Sequence, residues 1–152
     1  MENRLVFIDD FLDETDLRFY QNFIKSYNHS QTIIENQIYP SQFLEKYKGK
    51  LSDVLTISTI LPKVTITNSI KPVIKHTDCK YQDENYKLLI YLNDIPNGGT
   101  VFFDGRKSIL VENKKNRLVI FDISLPHESQ TFTGNVKKLA IGFRVKGELI
   151  RS

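Results

Sequence analysis

Apolar residues near the start of the chain recur at the spacing of one helix face. They are Leu17, Tyr20, Phe23, Ile24 and Tyr27. Asp13 stands just before this run and predicts the N-cap of the helix, because its carboxylate can accept a hydrogen bond from a free amide of the first turn. A short strand is expected over residues 4–8, before the helix, and a second, short helix over residues 41–47, after Pro40.

From about residue 54 the pattern changes to short runs rich in Val, Ile, Thr, Phe and Tyr, which favour strands. Turn residues such as Asn68-Ser69 and Asp104-Gly105 separate several of these runs. The predicted strands cover residues 55–61, 64–70, 73–78, 86–92, 100–103, 108–112, 118–121 and 136–145. Many short strands at close spacing predict a sandwich or jelly roll. The N-terminal helix would then cover the outer face of one sheet.

The chain has 152 residues, of which 40% are hydrophobic and 26% charged, as expected for one globular domain. Its one cysteine, Cys79, excludes an intramolecular disulfide. No apolar region of a signal peptide follows the N-terminus, and no apolar stretch is long enough to span a bilayer. We therefore expect a cytoplasmic protein without a membrane partner.

The net charge of +3 and the pI near 8.9 are basic enough to raise the question of nucleic-acid binding. The densest basic run is Lys46-Tyr47-Lys48-Gly49-Lys50. A solvated turn explains this run better than a phosphate track, because nucleic-acid footprints are stronger and cluster on one face.

His76 and Asp78 are separated by a single residue. Alternate residues of a strand point to the same face, so both side chains can reach one point in space. A second histidine from a distant strand would complete a 2-His-1-carboxylate triad, the donor set of non-haem Fe(II) oxygenases. His127 is the candidate. Taken alone the signal is weak, since a histidine such as His127 more often bonds a backbone group.

The last predicted strand has two unlike faces. Leu139, Ile141 and Phe143 share an apolar face that suits packing on the helix. The opposite face carries two cations and two small residues, Lys138, Ala140, Gly142 and Arg144. A buried ammonium needs a partner, so this face predicts a slot for a small dianion. A solvent-exposed face with incidental Ala and Gly is the alternative.

Tyr91 lies in a nearly continuous apolar strand over residues 86–92, which is typical of a strand covered on both faces. A tyrosine in such a strand belongs to the core unless its hydroxyl finds a polar partner inside. An anion held by Lys138 would be that partner.

Several motifs along the chain resemble, in order, those of the prolyl 4-hydroxylase-like branch of the 2-oxoglutarate/Fe(II) dioxygenases. They are His76-Thr77-Asp78, Tyr91-Leu92-Asn93, Gly98-Gly99-Thr100-Val101-Phe102, Leu118-Val119-Ile120-Phe121, His127-Glu128 and Lys138. The opening residues 6–12 also resemble the family's N-terminal strand and helix entry. The resemblance covers nearly the whole chain.

The resemblance implies a mainly β fold with an N-terminal helix, a double-stranded β-helix or cupin-like jelly roll. It implies one dioxygenase domain over residues 1–152, with N-terminal support in 1–50 and the β-helix core in 54–147. His76, Asp78 and His127 would be the metal ligands and the catalytic residues. Lys138, Tyr91 and Arg144 would bind 2-oxoglutarate, with Lys137 as the alternative to Lys138. Fe(II), 2-oxoglutarate and O2 are the implied cofactors, and ascorbate is an open addition.

The chain departs from the family's pattern before His76, where Thr67 and Val73 stand near the places of its usual tyrosines. The segments expected to cover the substrate, residues 79–85 and 34–50, are short. A role for Cys79 is left open.

The implied activity is hydroxylation of a protein or peptide residue, most of all proline. Oxidative demethylation of nucleic acid and a non-enzymatic metal-binding jelly roll are the alternatives. The oligomeric state and the substrate itself stay undetermined at this level.

Overall fold

The computed structural model of the chain describes residues 4–34, 38–78, 80, 82–131 and 135–150. Two helices, α1 (Glu14–Lys25) and α2 (Pro40–Leu51), alternate with the first strands, β1 (Leu5–Ile8), β2 (Gln31–Ile34) and β3 (Leu55–Ser69). The remaining strands follow without a helix between them. They are β4 (Tyr86–Tyr91), β5 (Thr100–Asp104), β6 (Lys107–Val111), β7 (Arg117–Asp122), β8 (His127–Ser129) and β9 (Lys138–Leu149).

The strands form two antiparallel sheets. The main sheet has six strands in the order β1-β7-β4-β9-β3-β2, and the small sheet has three in the order β6-β5-β8. Both N-terminal strands thus complete the edges of the main sheet, rather than standing outside it. This architecture confirms the mainly β jelly-roll prediction.

The two helices pack on one face of the main sheet. Asp13 caps α1 as predicted, since its Oδ1 accepts a hydrogen bond from the amide of Asp16 at 2.7 Å. The ring of Phe43 on α2 stacks on that of Phe143 on β9, with centroids 4.1 Å apart. Leu139, Ile141 and Phe143 all belong to this core, so the predicted apolar face of the last strand packs on the helices.

The other face of the main sheet meets the small sheet across a second, smaller core. Its members come from both sheets and include Tyr91, Phe102, Val119, Phe121, Leu125 and Ala140. Because β4, β7 and β9 are covered on both faces, they are buried almost throughout. The space between the sheets is where the candidate site lies.

Three of the predicted strands were wrong in detail. The expected strands 55–61 and 64–70 form one strand, β3, whose pairing with β9 shifts register between Ile60 and Val64. Pro62 lies at this irregularity, where its missing N–H costs no ladder hydrogen bond. Residues 73–78 form no regular strand, and only His76 makes an isolated bridge, to His127.

The expectation that residues 34–50 cover the substrate was wrong for residues 40–50. Most of that segment is α2, whose Phe43, Tyr47 and Leu51 are buried against the face of the main sheet away from the small sheet. Cys79 lies outside the described residues. No helix in the described part of the chain is both long and apolar enough to cross a membrane.

Candidate metal and co-substrate site

His76, Asp78 and His127 converge at one end of the space between the sheets. The Oδ1 atom of Asp78 lies 3.3 Å from Nε2 of His76 and 3.4 Å from Nε2 of His127. All three potential ligand atoms lie within 4.8 Å of one another. The structure thus brings together the three residues that the sequence nominated as metal ligands.

Backbone pairing brings the two histidines together. The amide of His76 donates to the carbonyl of His127 at 2.9 Å, and the amide of His127 donates back at 2.8 Å. Asp78 is held by a hydrogen bond from its amide to the carbonyl of Ile123 at 3.3 Å. The short strand β8 and the extended segment before Asp78 therefore position all three side chains.

Both imidazoles are oriented by backbone carbonyls. Nδ1 of His76 lies 2.7 Å from the carbonyl oxygen of Ile74, and Nδ1 of His127 lies 2.9 Å from that of Leu125. In a neutral imidazole with its proton on Nδ1, the Nε2 atom carries a free lone pair. Two such lone pairs and a carboxylate oxygen then face one another, an arrangement that a cation satisfies. The donor set fits a divalent metal.

The second carboxylate oxygen of Asp78 faces two cations. Its Oδ2 lies 3.7 Å from Nζ of Lys87 and 3.6 Å from Nη2 of Arg144. Burial would raise the pKa of Asp78, but its neighbours His127, Lys87 and Arg144 hold it well below its ordinary value. The carboxylate is therefore ionised and available as a ligand.

The side chain of Lys87 passes over Gly142 on the neighbouring strand. A Cβ on Gly142 would lie 2.5 Å from Cε of Lys87, so the stem of this lysine occupies the space that a side chain would need. Burial lowers the pKa of Lys87, and the charge of Asp78 opposes that shift. Gly142 thus makes room for a lysine of this chain, where the sequence had predicted room for a dianion.

Of the two neighbouring lysines, Lys138 is buried and lines the cavity, whereas Lys137 is exposed to solvent. Lys138 is 7% exposed, with its Nζ 5.1 Å from the ring centroid of Tyr91. Burial lowers the pKa of Lys138 to about 8. Lys137 is exposed, and its backbone carbonyl accepts a hydrogen bond from Nδ2 of Asn93. Among the residues that the structure describes, no carboxylate forms a salt bridge with Lys138, so an anion is the group its ammonium lacks.

Tyr91 is fully buried beside Lys138. Its hydroxyl lies 2.5 Å from Oγ1 of Thr100, and burial raises its pKa to about 12. The phenol is therefore neutral and can donate a hydrogen bond. Arg144 is not brought to this pair, since its guanidinium contacts Asp78 and, at 3.4 Å, the buried Glu84.

A cavity of about 120 Å³ connects the triad with Lys138. Its apolar lining comes from Val73, Leu89, Phe121 and Ala140. Thr67 and Val73, which stand near the places of the family's tyrosines, line the same cavity. The three candidate metal ligands and the buried ammonium of Lys138 thus line one small cavity.

Several solved structures share this architecture. A prolyl hydroxylase from Trichoplax adhaerens, in complex with a peptide fragment of the hypoxia-inducible factor oxygen degradation domain, matches with a TM-score of 0.68 at 15% identity, over 95% of this chain and 84% of that one. A Pseudomonas putida prolyl-4-hydroxylase matches with a TM-score of 0.69 at 15% identity, over 95% and 93%.

HygX from Streptomyces hygroscopicus, with nickel, 2-oxoglutarate and hygromycin B bound, matches with a TM-score of 0.67 at 10% identity, over 95% and 83%. This chain has the fold of the 2-oxoglutarate/Fe(II) oxygenases. The predicted resemblance to the prolyl hydroxylase-like branch is confirmed at the level of the fold. A scan of protein-family models and a search of curated proteins gave no match.

Three polar residues of this site escaped the sequence analysis. Glu84 is 0% exposed and contacts Arg144, Thr100 faces Tyr91, and Lys87 faces Asp78. Lys87 left a readable signal, because it is a cation inside an apolar strand and shares its face with Leu89 and Tyr91. Glu84 precedes that strand in a polar segment and left no such signal.

Proposed function

We propose that this chain is an Fe(II)- and 2-oxoglutarate-dependent dioxygenase that hydroxylates a residue of a protein or peptide. The observation that carries the proposal is the convergence of three lone-pair donors beside a buried lysine without a carboxylate partner among the described residues. A metal and a dianion are the two groups that such a cavity lacks. The shared fold supports the same conclusion.

His76, Asp78 and His127 would hold the metal. Two histidines and one carboxylate with open positions suit Fe(II) and do not suit a structural Zn²⁺ site, which uses four protein ligands. When bound together with 2-oxoglutarate and O2, Fe(II) supplies the oxidising chemistry that couples decarboxylation of the co-substrate to hydroxylation of the substrate. The carbonyls of Ile74 and Leu125 keep both imidazoles in the ligating orientation.

Lys138 and Tyr91 would anchor the distal carboxylate of 2-oxoglutarate. The ammonium supplies the charge, and the neutral phenol can donate a hydrogen bond if Thr100 accepts none from it. Leu89, Phe121 and Ala140 line the cavity with apolar surface, which excludes water and strengthens the ion pair. Exclusion of water also protects the reacting centre from side reactions.

A prolyl residue is the proposed target. Support comes from the prolyl hydroxylases among the matching structures, one of which holds a peptide. In this chain Lys71 and Val73 line the cavity, and Val73 and its chain neighbour Ile74 are exposed apolar residues. An extended peptide carrying a proline suits such a surface, because both partners are largely apolar there.

The nucleic-acid alternative rested on the spacing of Lys138 and Arg144. Six residues of strand separate them by about 20 Å, and Arg144 contacts Asp78 and Glu84. The two cations therefore do not form one phosphate-binding pair. A metal-holding jelly roll without activity is the other alternative, but it does not explain why the ammonium of Lys138 is buried.

Succinate release tests the proposal. Purified chain with Fe(II), 2-oxoglutarate, O2 and ascorbate is expected to release succinate faster when proline-containing peptides are added. His127→Ala and Lys138→Met should abolish the stimulated rate, whereas the exposed Lys137→Met should retain it. Stimulation by single-stranded methylated oligonucleotides instead would favour the demethylase. Metal binding without succinate from any mixture would favour the inactive jelly roll.

A further inference from the structure

Two buried cations stand directly opposite each other on neighbouring strands. Lys87 on β4 pairs in register with Arg144 on β9, and both side chains point into the space between the sheets. Their side chains are 14% and 6% exposed. Like charges directly across a ladder destabilise a sheet, and burial increases the cost. The arrangement needs a compensating anion.

Asp78 is the anion that both cations share. Its Oδ2 lies within 3.7 Å of Lys87 and 3.6 Å of Arg144, while its Oδ1 faces the two histidines. Glu84 adds a second negative charge, 3.4 Å from Arg144. The two oxygens of Asp78 are thereby divided, one toward the metal ligands and one toward the cations.

Gly142 keeps Lys87 in place. A Cβ at this position would meet Cε of Lys87 at 2.5 Å and Oγ1 of Thr65 at 2.5 Å. Any side chain at residue 142 would therefore displace the lysine stem from the path that brings its Nζ to Asp78. The strand β9 thus contributes one cation, Arg144, and the gap through which the other one passes.

We infer that Lys87 and Arg144 are positioning residues that fix which oxygen of Asp78 faces the metal. This inference rests on the proposed metal site and concerns its carboxylate ligand alone. With two cations 3.7 and 3.6 Å from the outer oxygen, only Oδ1 is turned toward the histidines, which would leave the remaining metal positions for co-substrate and O2. Without Lys87, Oδ2 keeps only Arg144 as a cationic neighbour, and its rotation toward the metal as a further ligand becomes easier.

The visible spectrum of the Co(II)-loaded full-length chain tests this inference, because Co(II) bands respond to the number of ligand atoms. In the absence of 2-oxoglutarate, Lys87→Met should change the band positions and lower their intensity. Loss of a nearby cation should also tighten Co(II) binding, by about tenfold. Lys138→Met is the matched control, since it removes the other buried lysine of the cavity and should leave this spectrum as in the wild type.

Gly142→Ala tests the position of Lys87 without removing a charge. It should reproduce the spectral change of Lys87→Met, and it should add no change in a Lys87→Ala background, where the stem is already gone. A wild-type spectrum in both Lys87→Met and Gly142→Ala, or weaker Co(II) binding by Lys87→Met, would overturn the inference. Neither measurement uses 2-oxoglutarate, so a chain that binds Co(II) but no co-substrate would refute the proposed function and leave this inference standing.

Discussion

His76 and His127 bond each other through their backbones, with reciprocal amide-to-carbonyl hydrogen bonds of 2.9 and 2.8 Å and ring centroids 4.4 Å apart. The segment before Asp78 therefore acts as a short extension of the small sheet, although it is no regular strand. The separation of the two imidazoles depends on this pairing, and so does the geometry of the candidate metal site.

Ser129 extends that pairing by one step, and its loss should weaken metal binding. Its amide donates to the carbonyl of Val73 at 3.0 Å, and its Oγ accepts from the amide of Val73. We expect Ser129→Ala to lower the free energy of unfolding by no more than about 1 kcal/mol. Metal affinity should fall several-fold, because His76 loses part of its support.

The exposed Ser108 on β6 provides the matched control. Ser108→Ala should change neither quantity, as judged by urea denaturation and metal titration of both variants. Equal metal affinity in Ser129→Ala and the wild type would show that the pairing does not position His76.

Lys138→Met should stabilise the protein and remove co-substrate binding. An ammonium with its pKa lowered to about 8 by burial costs stability, about 3 kcal/mol, which an apolar side chain of similar length does not cost. Since the folded-state pKa lies below the ordinary value of 10.5, this cost is complete below pH 8 and disappears as the pH rises toward 10.5.

Thermal unfolding at pH 7 and at pH 10 checks this prediction, with Lys137→Met as the exposed control. The advantage of Lys138→Met should be large at pH 7 and small at pH 10. A variant less stable than the wild type at pH 7 would contradict the account of an unpaired buried ammonium.

Binding of 2-oxoglutarate should weaken as the pH rises above about 8. The co-substrate needs the protonated form of Lys138, whose pKa is about 8 in the ligand-free protein, whereas the pKa of Tyr91 is about 12 and keeps the phenol neutral. We expect affinity to be constant below pH 8 and to fall by up to about tenfold per pH unit above it.

Lys138→Arg isolates the cause of this fall, because a guanidinium keeps its proton throughout this range. Calorimetric titration of the metal-loaded protein from pH 7 to 9.5 should show a flat profile for the arginine variant. An equal fall of 2-oxoglutarate affinity with pH in the wild type and in Lys138→Arg would show that another group causes the pH dependence.

The contact between Phe43 and Phe143 should be a main source of stability that is separate from the site. Both rings are buried, at 4% and 0% exposure, in the core under the helices. Phe43→Ala should lower the free energy of unfolding by about 3–5 kcal/mol. Phe19→Ala, at a ring that is 43% exposed, should cost less than about 1 kcal/mol in the same urea denaturation.

The parts of the fold that sequence predicts well depend on local periodicity. The cap at Asp13, the apolar face of α1 and the two faces of β9 each follow from residues close together in the chain. The jelly roll itself follows from many short strands. The strand predicted over residues 73–78 was wrong because its described partner, β8, is only three residues long.

The residues of the candidate site that belong to recognisable motifs were predictable from the sequence. The three residues nominated as metal ligands do converge, and burial distinguishes Lys138 from Lys137. The position of Arg144 was not predictable, since it depends on the register of β4 against β9 and on Glu84. Register between strands so distant in sequence is set by the whole fold, and strand phase alone does not reveal it.

Anaerobic titration of Fe(II) and 2-oxoglutarate into the purified chain tests the central claim most directly. A weak visible charge-transfer band should develop in the wild type, disappear in His127→Ala and require far more 2-oxoglutarate in Lys138→Met. Wild-type protein that binds iron but develops no such band at saturating 2-oxoglutarate would contradict the assignment of this cavity as a dioxygenase site.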